Sequence, residues 1–191
     1  MEIKVKTIEK DLEYLRQISK PVNFSDDSYK EALKVLDDFC KTSENCMAMA
    51  SVQLGIPLRL VYLKKTDLNH LEDDDYNEAK ILINPVITKK EGLTRYWEAC
   101  ASCMDNFALV ERPYKIEIEY YDENRKKCHE VLEGFPATVV SHEMDHLDGI
   151  LHMDKAIELL QMNAEERKKY REEHPYRIIR KDGDFEENKK G

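Results

Sequence analysis

The sequence predicts an α+β domain in which antiparallel sheets surround one central helix. Three observations predict it: short Leu-, Ile- and Val-rich runs bounded by turn formers, an alternating pair of segments that reads as a hairpin, and one apolar-flanked helix carrying a His-Glu-x-x-His pattern. With 191 residues the chain is long enough for one domain with a sizeable core and short for two. We expect a single domain over residues 1–180 and a flexible tail at 181–191, where KDGDFEENKKG has too little apolar content to order itself.

From Ser28 to Cys40 the residues Tyr29, Ala32, Leu33, Leu36, Phe39 and Cys40 recur at helical spacing, and Ser28 with Glu31 forms a capping-box start. Leu58 to Leu63 and Lys80 to Ile87 read as buried strands, and the acidic stretch between them as a solvated loop. A cation at Asp73, Asp74 and Asp75 is the sharper reading of that loop, and plain solvation the preferred one. Ile116, Ile118 and Tyr120 alternate with charged residues, then Asp122-Glu123-Asn124 supplies a turn, so a hairpin with one wet face follows. Gly134 and Pro136 open a helix that carries the histidines and stops near Gly149. Asp154 to about His174 is helix-favouring, with Asn163 and Glu166 placed to cap a segment beginning near Ala164.

A net charge of −9 repels phosphate backbones, which argues against DNA or other nucleic acid as the principal partner. The N-terminal segment lacks the apolar run of a secretory signal and no window matches a membrane span, so a cytoplasmic address without a membrane partner is expected. Five cysteines at irregular spacing argue for reduced thiols, one of them a candidate ligand.

His142 and His146 are one helical turn apart and can direct both imidazoles at one metal ion. Glu143 projects beside that ion, where a carboxylate can take a proton from water and deliver it to a leaving amine. A chance match on a surface helix is the bland account; Val139, Val140 and Leu147 argue instead for a helix packed inside the fold. Two histidines leave a catalytic site one ligand short. His152 is one candidate, completing a pattern similar to the metzincin peptidases, HExxHxxGxxH, with Met153 or Met162 for the methionine turn. Cys100, within Glu98-Ala99-Cys100-Ala101-Ser102, is the other.

With Gln53 upstream and HEMDHLDGIL downstream, the chain resembles the peptide deformylases, a family marked by GxGxAAxQ, EGCxS and HExxH in that order. The resemblance runs from about residue 46 to 151 and takes in Ile83-Asn84-Pro85 and Val110-Glu111-Arg112. It implies removal of the formyl group from the N-terminal methionine of nascent peptides, with release of formate. Cys100, His142 and His146 are then the metal ligands, Glu143 the acid and base, and Gln53 with the Ala101 backbone N–H the oxyanion donors. Glu98 supports the ligands from behind. Met47, Ala48, Arg112, Phe135 and Val139 are the expected peptide contacts. The resemblance also implies Fe(II) as the physiological ion, with zinc, nickel or cobalt as substitutes.

The first motif departs from that pattern: Cys46 and Ala48 stand at the two glycines, and Ser51 at one of the alanines. If these positions require a left-handed backbone, each replacement costs about 1–2 kcal/mol; added side-chain volume narrows the cleft in any case. In the second motif Ala99 stands at the glycine. A basic cluster, Arg167, Lys168, Lys169 and Arg171 followed by Arg177, Arg180 and Lys181, gives weak ribosome association as a further expectation, although the interspersed glutamates suit a solvated helix face.

Overall fold

The computed structural model describes residues 3–43, 46–64, 79–174, 177–179 and 185–187, and it is the mixed architecture expected, with four helices and two antiparallel sheets. The acidic loop at Asp73, Asp74 and Asp75 lies outside the described residues. Two helices come first, α1 (Ile8–Leu15) and α2 (Tyr29–Thr42). The first sheet has the order β1 (Ala48–Ala50), β2 (Leu60–Lys64), β3 (Ala79–Glu91), β6 (Lys115–Tyr121), β7 (Lys127–Glu133). The second has the order β10 (Phe185–Glu187), β9 (Arg177–Ile179), β4 (Leu93–Ala99), β5 (Asn106–Arg112), β8 (Ala156–Gln161). Helix α3 (Phe135–Leu147) follows β7, and helix α4 (Ala164–Glu173) follows β8. Among the described residues no helix is long and apolar enough to cross a membrane.

The first sheet is covered on both faces, and its strands divide their side chains by the two-residue period of a pleat. Leu60, Tyr62, Ile81 and Ile83 pack with Leu33, Leu36 and Cys40 of α2. Val61, Leu63 and Leu82 point the other way, joining Ile116 and Ile118 against Ala137, Val140, Met144 and Leu147 of α3. Val140 and Leu147 are fully buried, each contributing roughly 1.5–3 kcal/mol. The helix bearing the histidines is thereby clamped to a rigid sheet, and the chance-motif account fails on burial.

The ends of α3 follow their local chemistry. Pro136 occupies the first turn, and after Leu147 the chain turns at Gly149, whose φ is +71°. A Cβ there would lie 2.3 Å from the Arg16 carbonyl oxygen, so glycine is required both by conformation and by space.

Three local expectations change. Ser28 makes no side-chain cap on α2; its own N–H donates to Asp26 Oδ1 at 2.8 Å, an Asx turn that sets the helix start instead. The stretch from Ala156 to Gln161 is not helical: β8 pairs antiparallel with β5, because a sheet edge in need of a partner outweighs a weak helical preference. The Asn163 cap is as expected, accepting from the N–H groups of Glu165 and Glu166, with Glu166 reaching back to the Asn163 N–H. Within the segment expected to be a tail, Phe185–Glu187 forms a strand against β9; the rest of 181–191 lies outside the described residues.

Candidate active site

Four elements meet over the face of α3 turned toward the second sheet. Strand β4 ends at Ala99, Cys100 follows it, and a 3-10 turn over Ala101–Cys103 is closed by the Cys103 N–H donating to the Cys100 carbonyl at 3.0 Å. The thiol is thereby held 3.2 Å from His146 Nε2. Ligand atoms of Cys100, His142 and His146 all lie within 4.8 Å of one another. A thiolate and two imidazoles at that separation fit one first-row divalent ion, and as three ligands they leave a position free for water or substrate.

His142 is oriented from behind. Its Nδ1 lies 2.8 Å from Glu98 Oε2, which fixes the tautomer so that Nε2 faces the ligand group. Glu98 is in turn gripped by Arg112, Nε to Oε1 at 2.8 Å and Nη2 to Oε2 at 2.9 Å. Burial opposes ionisation of Glu98, but the hydrogen bonds from Arg112 and His142 outweigh it and hold the carboxyl well below the usual range. The remaining Arg112 nitrogen donates to Asp145 on α3, which also accepts from Lys155 Nζ at 2.6 Å.

Glu143 sits on the cleft side, accepting from the Ala50 N–H at 2.7 Å. Burial pushes its carboxyl up to about 7, against the opposing pull of His142 and of the Ala50 N–H. A carboxyl poised there can exchange a proton in both directions near neutral pH. Gln53 follows β1 in a 3-10 turn, its Oε1 accepting from Ala50 N–H at 3.0 Å while Nε2 donates to Ser102 Oγ at 3.0 Å and lies 3.4 Å from Cys100 Sγ. Its donor is thus aimed at the ligand group.

A cleft of about 690 Å³ opens over these residues. Met47, Ala48, Ala101, Phe135 and Val139 line it, as do Gln53, Glu98, Cys100, His142 and Glu143. Arg112 does not: it is 2% exposed, behind the site, and all three of its terminal nitrogens engage carboxylates. The expected peptide contact is a clamp on Glu98 and Asp145 instead. His152 does not join the metal group either. It is buried with Nε2 3.3 Å from the Asn106 carbonyl, and burial draws its pKa down, keeping the ring neutral.

Sequence reasoning missed Asp145, Ser102 and the cleft wall made by α4. Asp145 lies three residues from His142, a spacing that shares a helix face and could have marked it. Arg167 and Arg171, read as part of a solvated run, both face the cleft.

The altered first motif is relieved of strain. Among the described residues only Asn84, Met104 and Arg125 combine a side chain with positive φ, so neither Cys46, Ala48 nor Ala99 takes the left-handed conformation. Ser51 is fully buried and its hydroxyl donates to the Leu58 carbonyl at 2.6 Å.

Comparison with known proteins agrees with this geometry. The family profile described as polypeptide deformylase matches residues 4–162. The chain is 40% identical over 143 residues to a peptide deformylase of Pelagibacter ubique, covering 73% of this chain and 78% of that one. A probable peptide deformylase from Synechococcus phage S-SSM7 superposes with a TM-score of 0.69 at 32% identity, covering 81% of this chain and 99% of the other. A Synechococcus elongatus peptide deformylase in complex with actinonin gives 0.68 at 27%, covering 90% and 85%.

Proposed function

The chain belongs to the polypeptide deformylase family of metal-dependent hydrolases, and on that premise we propose that Cys100, His142 and His146 hold one divalent ion, Fe(II) in the cell, replaceable by zinc, nickel or cobalt. The substrate is the N-formylmethionyl end of a nascent peptide in the cytoplasm, and residues 1–180 act as one catalytic domain. The convergence of that thiol and those two imidazoles beneath a cleft, with Glu143 beside them, is the observation that carries the reading. When bound, the ion supplies Lewis acidity that polarises the formyl carbonyl and acidifies water.

The protein groups do the rest. Glu143 takes the proton of the attacking water, whose oxygen joins the formyl carbon. The Gln53 amide and the Ala101 backbone N–H donate to the oxyanion, each worth roughly 3 kcal/mol in the transition state. As the C–N bond breaks, Glu143 returns the proton to the amine nitrogen, and formate departs. Met47, Ala48, Phe135 and Val139 form the walls for the methionine and the adjoining backbone. Glu98 holds His142 in place, itself held by Arg112.

Weak ribosome association goes with this reading through the exposed Lys168 and Lys169, and failure to co-sediment with ribosomes removes it. The enzymatic test is anaerobic incubation of Fe(II)-loaded protein with formyl-Met-Ala-Ser. Equal yields of formate and free amine are expected; metal-loaded protein that releases neither contradicts the assignment.

A further inference from the structure

One wall of the cleft has no part in the chemistry above. Helix α4 presents Ala164, Arg167 and Arg171 to it, beside Tyr96, Met104 and Asp105. The Arg171 guanidinium lies over the rings of Tyr96 at 5.4 Å and Phe107 at 5.0 Å. Its Nε and Nη2 donate to the Trp97 carbonyl at 3.1 and 3.0 Å. These contacts fix the plane of the fork and occupy one edge. Among the described residues the Nη1 end has no hydrogen bond, and no carboxylate is within ion-pair distance of Arg171.

Arg167 stands one turn earlier on the same face, donating from Nη1 to the carbonyls of Met104 at 3.2 Å and Met162 at 2.9 Å. Its one acidic neighbour among the described residues is Asp105, 3.8 Å away and largely exposed. Glu98 also faces the cleft, but its charge is committed to Arg112 and His142. The wall therefore carries two guanidiniums against one loosely held acid. A partly buried cation without an anion is costly, and burial accordingly lowers the Arg171 pKa. A ligand carboxylate is what such a site lacks.

We propose that Arg171, assisted by Arg167, forms an anion subsite that receives a carboxylate of the peptide substrate downstream of its formylmethionine. That carboxylate is an acidic side chain or the C-terminus of a short peptide, since a guanidinium fork binds both alike. The subsite rests on the deformylase reading of the same cleft, and gives it a preference among formyl peptides.

The test compares kcat/KM for formate release within two pairs: formyl-Met-Ala-Ser against its C-terminal amide, and formyl-Met-Ala-Glu amide against formyl-Met-Ala-Gln amide. In the wild type the anionic member of at least one pair is favoured about tenfold at low salt, with the margin shrinking as ionic strength rises. Which pair responds identifies the source of the carboxylate. Arg171→Met reduces the margin to within twofold. Because Arg171 also anchors the Trp97 carbonyl, Arg171→Lys, which keeps charge but loses the fork, and Arg167→Met are measured alongside and narrow the margin too. Equal rates within both pairs, or a margin that survives all three substitutions, overturns the subsite while formate release from the amides leaves the deformylase reading standing. Absence of formate from all four peptides overturns that reading, and the subsite with it.

Discussion

Glu98 and Arg112 face each other behind the ligand group as a buried, two-pronged ion pair, with neither residue more than 4% exposed. Glu98 spends its Oε2 twice, on Arg112 and on His142. Orientation of a candidate metal ligand is thereby tied to a salt bridge whose arginine lies behind the cleft.

Arg112→Met is expected to lose roughly 3–5 kcal/mol of stability, because it leaves the buried Glu98 carboxylate without its cation, whereas Asp145 keeps Lys155. Glu98→Gln is milder for the fold but loosens His142, and apparent metal affinity falls about 10- to 100-fold. Urea unfolding and metal titration check both. An Arg112→Met protein of wild-type stability that differs only in a raised peptide KM contradicts the clamp and restores a peptide contact.

Glu143 gives a pH-dependent prediction for the metal-free protein. Its folded pKa, raised to about 7 by burial, exceeds the ordinary value of 4.5, so its contribution to stability is fully present below 4.5 and is lost as pH rises through 7. Glu143→Gln cannot ionise and its amide oxygen can still accept from Ala50. It should abolish formate release yet raise the stability of the metal-free protein at pH 8 by an amount approaching the order of 3 kcal/mol, seen as a higher Tm, with little gain at pH 4. A loss of Tm at pH 8 contradicts the assignment of the buried charge.

Gly149→Ala tests the seam between the helix end and the N-terminal segment. Positive φ and a 2.3 Å approach to the Arg16 carbonyl together should cost roughly 2–4 kcal/mol. Thermal unfolding within a degree of wild type counts against this packing.

How much of this was legible depended on range. His142 and His146 were readable because four-residue spacing on a helix is a local fact, as was the Asn163 cap. The third ligand was not local: Cys100 and His152 competed until the order of three motifs, and then the fold, brought Cys100 to His146. Arg112 was misjudged because a strand arginine does not announce which carboxylates await it, and its partners lie 14 and 33 residues away. The stretch from Ala156 to Gln161 was read as helical because its pairing with β5 is a property of the sheet. Arg167 and Arg171 stand four residues apart, so their shared face was present in the sequence but hidden within a charged run.

The first motif offers a test in which reinstating the family's glycine brings no benefit to the fold. Since Ala48 lies in β1 without positive φ, Ala48→Gly relieves nothing and should lower stability by about 0.5–1 kcal/mol while widening the cleft. A clear rise in Tm is the outcome at odds with the backbone described.

The most direct measurement of the central claim is metal content after anaerobic Fe(II) reconstitution, taken beside formate release, for Cys100→Ala and His152→Ala. Cys100→Ala should lose both the bound ion and the activity, while folded His152→Ala keeps one ion per chain and continues to release formate. Retention of ion and activity by Cys100→Ala, with their loss from folded His152→Ala, would contradict the account.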